Sequence, residues 1–258
     1  MKKESPLPKN TFYDINKLPK EYGILVFPIS LARTENSTGQ DPKQCHEYVV
    51  HLTTDKVSDT KIGLNMVYGD FLYLHSKEVA STLKQKFMSI VLNHKNAFQN
   101  IIKKDKQRFQ IQHGFSFEVW NQLYLDYKGD FDSDFRQFKA SALEDEKFMR
   151  YLQDDAAYCG RELTEEQLNF FLEEHFMFYL ASKGLVGFPN DYIQGREEWV
   201  LWCYPGKSLK AQVYVYQLNP LRLSNKKNIY ENCVYDLESK KLIDFTRIDL
   251  DTYNYKYE

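Results

Sequence analysis

The chain has 258 residues, which is enough for one large α/β domain with a substantial core. Hydrophobic residues make up 43% and charged residues 27% of it, a composition of globular rather than disordered proteins. The net charge of -2 excludes a surface that binds nucleic acid everywhere, but it leaves room for a local basic patch.

Several classes of site have no sequence support. No apolar run approaches the ~20 residues of a membrane span, and the polar N-terminus lacks a signal-peptide hydrophobic region. The four cysteines form no CxxC pair, and the six histidines form no HxxxH or HExxH pattern. Glycine-rich phosphate loops are also missing. We therefore predict a cytoplasmic protein without a metal, a nucleotide or another cofactor.

The N-terminal part of the chain is predicted to hold a leader and the first strand. Residues 1–20 carry three prolines and are predicted to be irregular, and residues 21–258 are predicted to form a single α/β domain. The segment 23–27 is a continuous apolar run, which is typical of a strand buried on both faces. It leads through Pro28 to Ser30, and the polar segment 32–43 is predicted to be a loop.

Two further strands and a long helix are predicted next. The segment 48–52 is a strand candidate, and the segment 61–73 is another, with Asp70 near its end. The segment 78–104 has apolar residues at helical spacing. Its basic residues are Lys84, Lys86, Lys95, Lys103 and Lys104. A solvated helix face explains them most simply, and a phosphate-contacting edge is the functional alternative.

The rest of the chain alternates helical and strand patterns. The segments 117–127 and 134–152 are predicted to be helical. Thr164 and Gln167 form a capping box, which predicts the start of the next helix. The segment 199–204 has the β-branched and aromatic residues of a strand, and the loosely alternating segment 229–245 contains a turn-like stretch at 237–240. Strands separated by helices indicate a parallel sheet with helices on both faces.

Two adjacent carboxylates lie in the helix that begins near Thr164. Glu174 has Phe170 one turn before it and Phe178 one turn after it, and Glu173 precedes it on a helix that is apolar almost all round. Desolvation should raise the pKa of such a carboxyl and suit it to general acid or base chemistry. The structural alternatives are an ion pair with a core Arg or Lys and a side chain that points to solvent through a gap.

Ser30 and Tyr204 share a position in the predicted sheet. Each stands where an apolar strand gives way to a proline or a loop, and open parallel sheets bind ligands outside the carboxyl ends of their strands. A serine there is a nucleophile if a base or a dipole activates it, although most serines after strands only cap turns. No GxSxG elbow accompanies it.

These residues together resemble the tRNA-dependent cyclodipeptide synthases. The segment 170–174 (Phe-Phe-Leu-Glu-Glu), followed by Tyr204-Pro205-Gly206, resembles the paired signature of that family, whose Tyr-Pro ending marks its XYP branch. The segment 23–30 is similar to the first strand with its nucleophilic serine. The segment 68–76 is similar to the Asp-Ser-Leu-Gln-Arg-His-Asn stretch of the branch, and the helix from Glu78 resembles the family's tRNA-contacting helix.

The resemblance implies a fold and a reaction. The fold is a Rossmann-like parallel sheet flanked by helices, like the catalytic domain of class I aminoacyl-tRNA synthetases. Aminoacyl groups from two aminoacyl-tRNAs are joined into a diketopiperazine by a ping-pong mechanism without a cofactor. Ser30 is implied as nucleophile and Glu174 as proton acceptor. Tyr204 is implied as the group that orients the acyl group or relays a proton to the serine. The implied substrate-binding residues are Phe170, Glu173, Pro205 and Asp70. We also expect a monomer or a weak dimer.

The chain departs from the family pattern in ways that keep alternatives open. Phe170 stands where the family has a tyrosine, and Pro28 replaces a glycine before the nucleophile. The segment 180–198 is longer than usual, and the long helix carries fewer basic residues. A catalytically weak or silent relative that binds aminoacyl-tRNA is therefore the main alternative. A serine hydrolase and a protein-interaction domain are the others.

Overall fold

The computed structural model describes residues 12–13, 23–31, 34, 39–54, 62–69, 81–105, 115–119, 127–182, 199–205, 207–218 and 233–256. Within these residues the strands are β1 (Phe12–Tyr13), β2 (Gly23–Ile29), β3 (Ile62–Tyr68), β4 (Phe115–Val119), β5 (Trp199–Tyr204), β6 (Cys233–Asp236) and β7 (Lys241–Asp244). The helices are α1 (Pro42–Thr54), α2 (Ser81–Lys104), α3 (Phe131–Glu144), α4 (Glu146–Tyr158), α5 (Glu165–Ser182) and α6 (Lys210–Leu218).

The strands form one sheet in the order β1-β7-β6-β5-β2-β3-β4. Its central part, from β6 to β4, is parallel throughout, and β7 and β1 extend one edge in antiparallel orientation. In the parallel part, β3 and β4 lie on one side of β2, and β5 and β6 lie on the other. This is the strand order of a doubly wound sheet. The predicted Rossmann-like, mainly parallel sheet flanked by helices is thereby confirmed.

Helices cover both faces of the sheet and create two hydrophobic clusters. Leu25, Phe27 and Ile29 of β2 point to the cluster that includes residues of α1 and α2, while Val26 points to the cluster that includes residues of α3, α4, α5 and α6. Side chains alternate along a strand, so a strand buried on both faces must be apolar at every position. This explains the continuous apolar run that predicted β2.

The strand predicted at 48–52 is wrong, because these residues belong to α1. Cys45, Val49 and Leu52 are all buried against one face of the sheet, at the i, i+4 and i+7 spacing of a helix stripe. A short apolar run cannot be assigned by periodicity alone. The buried stripe begins at Cys45, outside the window that suggested a strand.

The helical prediction for 117–127 is also wrong where the structure describes it. Phe115–Val119 form β4, which pairs in parallel with β3 in a register that sets Leu64 opposite Phe115. This pairing joins segments about 50 residues apart in the chain, and local patterns do not report such contacts. Within the predicted leader, Phe12–Tyr13 form β1, which pairs with β7.

Other boundaries follow from local capping. The Thr164 hydroxyl oxygen accepts a 3.3 Å hydrogen bond from the Gln167 backbone N–H, which confirms the predicted start of α5. The helix predicted at 134–152 is divided into α3 and α4 at Asp145. The Asp145 side chain accepts hydrogen bonds from the backbone N–H groups of Lys147 and Phe148 and so caps α4. The predicted turn at 237–240 joins β6 to β7.

Candidate active site

The candidate site lies at the switch point of the sheet, where β2 and β5 are neighbours. The two strands run in parallel, and their register pairs Gly23 with Trp199 and Val26 with Trp202. The chain continues from β2 to β3 on one side and from β5 to β6 on the other. In open parallel sheets, ligands bind outside the carboxyl ends of two strands whose connections leave in opposite directions.

Ser30 follows β2 directly and is half-buried at this edge. Gln40 holds the strand end through its side-chain amide. Its Nε2 donates to the Pro28 carbonyl oxygen at 3.0 Å, and its Oε1 accepts from the Ser30 backbone N–H at 2.8 Å. The intervening carbonyl of Ile29 faces the other way and accepts a hydrogen bond from the Gly69 N–H at 2.8 Å. Gln40 therefore lies on the β5 side of β2, beyond Val26, the last residue of β2 that pairs with β5. It supplies hydrogen-bond partners for the backbone groups at the end of β2.

A buried polar network holds Gln40 in turn. Its backbone oxygen lies 2.8 Å from His94 Nε2, and His94 Nδ1 lies 2.8 Å from the Tyr68 hydroxyl. A carbonyl oxygen can only accept, so Nε2 carries the proton and Nδ1 accepts from Tyr68. Burial lowers the pKa of His94 and raises that of Tyr68, so both stay neutral. Gly39, at φ 98°, supplies a left-handed turn immediately before Gln40.

Glu173 and Glu174 lie in the middle of α5, as predicted. Glu173 is buried, and its Oε2 has no hydrogen-bond partner among the described residues. Burial raises its pKa to about 7. Glu174 is half-buried, and the burial of its carboxyl group raises the pKa of Glu174 to about 7. The expected desolvation effect on Glu174 is therefore present, and both carboxyls titrate near neutral pH.

Two charged groups at the end of α4 face Glu174. The Arg161 guanidinium opposes the rise in the pKa of Glu174, and the Asp155 carboxylate adds to it. Gly160, at φ 65°, ends the helix in a Schellman turn in which the Arg161 N–H donates to the Ala156 carbonyl at 2.8 Å. Arg161 is exposed and acts on Glu174 only through its charge. In the described residues no ion pair joins the two side chains.

Asp155 connects this group to the start of α6, and sequence reasoning missed it. It is fully buried and accepts hydrogen bonds from the backbone N–H groups of Lys210 and Ala211, at 2.8 and 2.9 Å, and from the Tyr255 hydroxyl at 2.7 Å. It thus caps α6, which follows the carboxyl end of β5. One signal was available: Leu209, before α6, has no side chain that could cap this helix.

Tyr204 ends β5 and is half-buried. Its carbonyl accepts a 2.9 Å hydrogen bond from the Leu237 N–H, and it lies opposite Asp236 of β6. The buried Asp236 carboxylate is paired with Lys207 at 2.9 Å and caps the turn after β6. Pro205 is buried directly after the strand. The end of β5 is therefore fixed by its neighbour on the side away from β2.

The sheet brings Ser30 and Tyr204 to the same edge, because Ser30 follows β2 and Tyr204 ends the adjacent parallel strand β5. Glu174 interacts electrostatically with Asp155 and Arg161 instead. In the described part of the chain, no hydrogen bond joins Glu174 to Ser30. Phe170 is half-buried and packs against the cluster that includes α3 to α6. Asp70 and most of the segment 68–76 lie outside the described residues.

The predicted basic edge lies on α2. This helix buries Val91, His94 and Phe98 on one side. Lys86, Lys103 and Lys104 are exposed, and Lys95 is half-buried. Lys84 also lies in α2, but its side chain is not among the described parts of the structure. The exposed lysines are available to an anionic partner and equally fit a solvated face.

The described residues hold neither a membrane-spanning helix nor a metal-binding group. No helix there is long and apolar enough to cross a membrane. No group of three or more His, Cys, Asp or Glu side chains there is arranged to hold a metal ion.

Comparison with known proteins gave matches among solved structures only. No protein-family profile and no curated protein matches the sequence. A CDPS (cyclodipeptide synthase) from Fluoribacter dumoffii has 15% identity and a TM-score of 0.47 over 82% of this chain and 93% of that one. A CDPS from Staphylococcus haemolyticus has 14% identity and a TM-score of 0.45, covering 84% and 89% of the two chains.

A third solved structure is a cyclodipeptide synthase from Candidatus Glomeribacter gigasporarum bound to Phe-tRNAPhe. It has 16% identity and a TM-score of 0.42, and the match covers 82% of this chain and 93% of that one. Identities this low concern the fold alone, so the roles of individual residues depend on this chain's own geometry.

Proposed function

We propose that this protein is a tRNA-dependent cyclodipeptide synthase, in which Ser30 accepts an aminoacyl group from a first aminoacyl-tRNA. The observation that carries the proposal is the placement of Ser30 at the switch point, fixed by Gln40 and beside the end of β5. Because the ester of an aminoacyl-tRNA is already a reactive acyl donor, positioning and proton handling are the main demands on the protein.

The first step transfers the acyl group to the enzyme. Ser30 Oγ attacks the ester carbonyl, the bond from Oγ to the carbonyl carbon forms, and the bond to the ribose oxygen of the tRNA breaks. The serine proton ends on that ribose oxygen, by way of the Tyr204 hydroxyl. Val26 and Trp202 belong to the cluster on the α5 side of the sheet. The alternation of side chains predicts the same side for Ser30 and Tyr204, which supports this route for the proton.

The second and third steps build the ring. The amino group of a second aminoacyl-tRNA attacks the acyl-serine, which releases the serine and forms a dipeptidyl-tRNA. The free amino group then attacks the remaining ester, closes the diketopiperazine and releases the tRNA. Glu174 removes the proton from the attacking amine, a role that suits a carboxyl with a pKa of about 7.

The remaining predicted residues take binding roles in this proposal. Glu173 lies beside Glu174 on α5 and sets the electrostatic potential of the amino-group pocket. Phe170, Pro205 and Asp70 shape the substrate site. The α2 lysines contact the tRNA backbone through sequence-independent charge interactions.

A second candidate is a relative that binds aminoacyl-tRNA without forming product. Phe170 favours it, because a phenylalanine that packs against the hydrophobic cluster supplies no hydroxyl for the amino group of the substrate. The two candidates share a fold and a ligand, so only the chemistry separates them.

Expression in a bacterium, followed by mass spectrometry of the medium, tests the proposal. We expect a cyclic dipeptide from the wild-type chain and from a Ser133→Ala control, and none from Ser30→Ala. Intact-protein mass spectrometry should detect an aminoacyl adduct at Ser30. Bound tRNA without any product would favour the silent relative, and an adduct at another residue would overturn the role of Ser30.

A further inference from the structure

A chain of hydrogen bonds connects the inner side of α2 to the strand end that carries Ser30. His94 lies on the buried side of α2, with 3% of its surface exposed. Its Nε2–H donates to the Gln40 backbone oxygen, and the Gln40 side chain accepts from the Ser30 N–H, both at 2.8 Å. A single residue therefore links the imidazole on α2 to the backbone of the proposed nucleophile.

The other end of this chain of hydrogen bonds returns to the same strand end. The Tyr68 hydroxyl donates to His94 Nδ1 at 2.8 Å, and the two rings meet edge to face with centroids 5.5 Å apart. Tyr68 is the last residue of β3 and lies opposite Ile29, immediately before Ser30. The imidazole is therefore held from β3, and it cannot turn away from Gln40 without losing a buried partner.

Tyr68 also determines which nitrogen of His94 carries the proton. Nδ1 accepts from the hydroxyl, so Nε2 is the protonated nitrogen, as the carbonyl acceptor of Gln40 requires. Burial lowers the pKa of His94 and keeps the ring neutral. Without Tyr68 the neutral ring is free to carry its proton on either nitrogen, and a proton on Nδ1 removes the bond to Gln40.

The imidazole is the strongest donor to the Gln40 carbonyl among the described residues. The Cys45 thiol lies 3.4 Å from the same oxygen, but a thiol is a weak donor. Gly39, directly before Gln40, has a left-handed backbone at φ 98°. A glycine has no side chain to restrict its backbone, so this turn alone does not fix the direction of Gln40. The hydrogen bond from His94 therefore sets the point from which the Gln40 side chain reaches Ser30.

We propose that His94 is a positioning residue of the aminoacyl transfer, with Tyr68 as the residue that orients its ring. The imidazole holds the Gln40 backbone, and the Gln40 amide in turn holds Ser30 where its hydroxyl attacks the ester. This role rests on the proposed function of Ser30 as nucleophile. It gives α2 two separate tasks, because lysines on its outer side contact the tRNA while His94 on its inner side fixes the nucleophile.

The two sides of α2 should have different kinetic signatures. His94→Asn should lower the single-turnover rate of Ser30 acylation at saturating aminoacyl-tRNA about tenfold or more, because a misplaced nucleophile reacts slowly. It should leave the affinity for tRNA unchanged, since it adds and removes no charge on the outer side. A weaker tRNA affinity together with a wild-type acylation rate would overturn the positioning role.

Two amide substitutions of His94 separate positioning from packing. The glutamine amide nitrogen lies at the same number of bonds from Cα as Nε2, so His94→Gln keeps a donor for the Gln40 carbonyl. The asparagine side chain is shorter and reaches only the position of Nδ1. His94→Gln should therefore retain most of the acylation rate that His94→Asn loses, and Tyr68→Phe should lower it about two- to tenfold. Equal rates in the two His94 variants would overturn the inference.

Hydrogen exchange at the Ser30 amide measures the same connection without any activity. The Ser30 N–H should exchange about tenfold faster or more in His94→Asn than in the wild-type chain or in His94→Gln. The amide of Val26, in the centre of β2, should keep its wild-type protection. An unchanged Ser30 amide, or an equal rise at Ser30 and Val26, would overturn the positioning role, since the second result indicates only a loss of global stability.

Another histidine–tyrosine pair provides matched control variants. His51 Nε2 lies 3.1 Å from the Tyr235 hydroxyl, and Tyr235 belongs to the same hydrophobic cluster as Tyr68. This pair joins α1 to β6 instead of to the end of β2. His51→Asn and Tyr235→Phe should therefore leave the acylation rate and the exchange of the Ser30 amide unchanged. Effects as large as those of His94→Asn and Tyr68→Phe would overturn the inference.

The two measurements separate this inference from the proposed function. A wild-type chain that never acylates Ser30 refutes the function, while faster exchange of the Ser30 amide in His94→Asn still supports the connection through Gln40. Normal acylation with a Ser30 amide that does not respond to His94→Asn refutes the role of His94 alone.

Discussion

The side chain of Gln40 accepts a 2.8 Å hydrogen bond from the backbone N–H of Ser30 and donates to the carbonyl two residues earlier. Gln40 is completely buried. This amide replaces the strand pairing that β2 loses as it parts from β5, so the position of the serine depends on a side chain ten residues away. Gln40 is therefore a positioning residue for the proposed nucleophile.

Replacement of Gln40 by methionine should destabilise the protein and displace Ser30. Gln40→Met leaves two buried backbone groups unpaired, at a cost of about 2–4 kcal/mol. We expect a lower midpoint of thermal unfolding and slower formation of the acyl-enzyme by the folded fraction. Gln44→Met, on the half-buried side of α1, is the control and should retain both. Full acyl-enzyme formation in Gln40→Met would show that Ser30 needs no such support.

Glu173→Gln should stabilise the protein at alkaline pH. The unfolded chain releases this proton near pH 4.5 and the folded chain near pH 7, so the folded state holds more protons between these values. Stability therefore falls as the pH rises across this window and stays low above it. The variant should gain about 1–3 kcal/mol at pH 8 and little at pH 4, measured by denaturant unfolding.

The control for this stability measurement is Glu166→Gln, at an exposed position on the same helix. It should change the unfolding free energy by only a few tenths of a kcal/mol at either pH. A wild-type unfolding free energy that rises from pH 5 to pH 8, together with no gain in Glu173→Gln, would contradict the raised pKa.

Product formation should depend on the ionisation of Glu174. With a pKa of about 7, its basic form increases as the pH rises through neutrality. The rate should therefore increase from pH 6 to pH 8 and level off above that. Glu174→Gln should lower the rate about 10²- to 10⁴-fold and remove this limb of the profile. Glu165→Gln, exposed at the start of α5, should keep the wild-type profile.

Asp155→Ala should be strongly destabilising, in contrast to the same change at its neighbour. It removes the acceptor for two backbone N–H groups and for Tyr255, which we expect to cost about 2–4 kcal/mol. Asp154→Ala removes only a partly exposed ion pair with Lys210, typically worth about 0–1 kcal/mol. Chemical denaturation of the two variants gives the comparison, and similar losses would refute the capping role.

The exposed lysines of α2 should govern the salt dependence of tRNA binding. Replacement of Lys86, Lys103 and Lys104 by glutamine should weaken binding and reduce the slope of log affinity against log salt by roughly 0.7–0.9 for each lost phosphate contact. Lys128, Lys147 and Lys256, exposed elsewhere, form the control set. Equal slopes for the two triple variants would mean that α2 presents a solvated face.

The sequence predicted those parts of the fold in which a local pattern agrees with tertiary burial. The continuous apolar run of β2 and the capping Thr164 of α5 are examples, because in each case a few neighbouring residues are enough to predict the element. The segments 48–52 and 117–119 were misassigned, because a short apolar or aromatic run fits a helix and a strand equally well. In these cases packing and strand pairing determined the outcome.

The candidate site was predictable in its strand ends and its buried carboxyls. The strand-end positions of Ser30 and Tyr204 were predicted from where apolar segments stop, and the burial of Glu174 from the cost of a charge on an apolar helix. That the three residues form one site stays a prediction. Gln40 and Asp155 were not found, because each acts on backbone groups at least ten residues away. Such residues carry no local signature, and only the fold brings them to their partners.

The hydrogen bonds of Gln40 also limit the effect of chain length at this site. They join Gln40 to both Pro28 and Ser30, so two points that lie ten residues apart in the chain are fixed to each other, as the ends of a closed loop are. Lengthening such a loop costs only about 0.6 kcal/mol for each doubling of its length. Natural or engineered insertions between Leu31 and Gly39 can therefore alter what surrounds the serine without moving the serine itself.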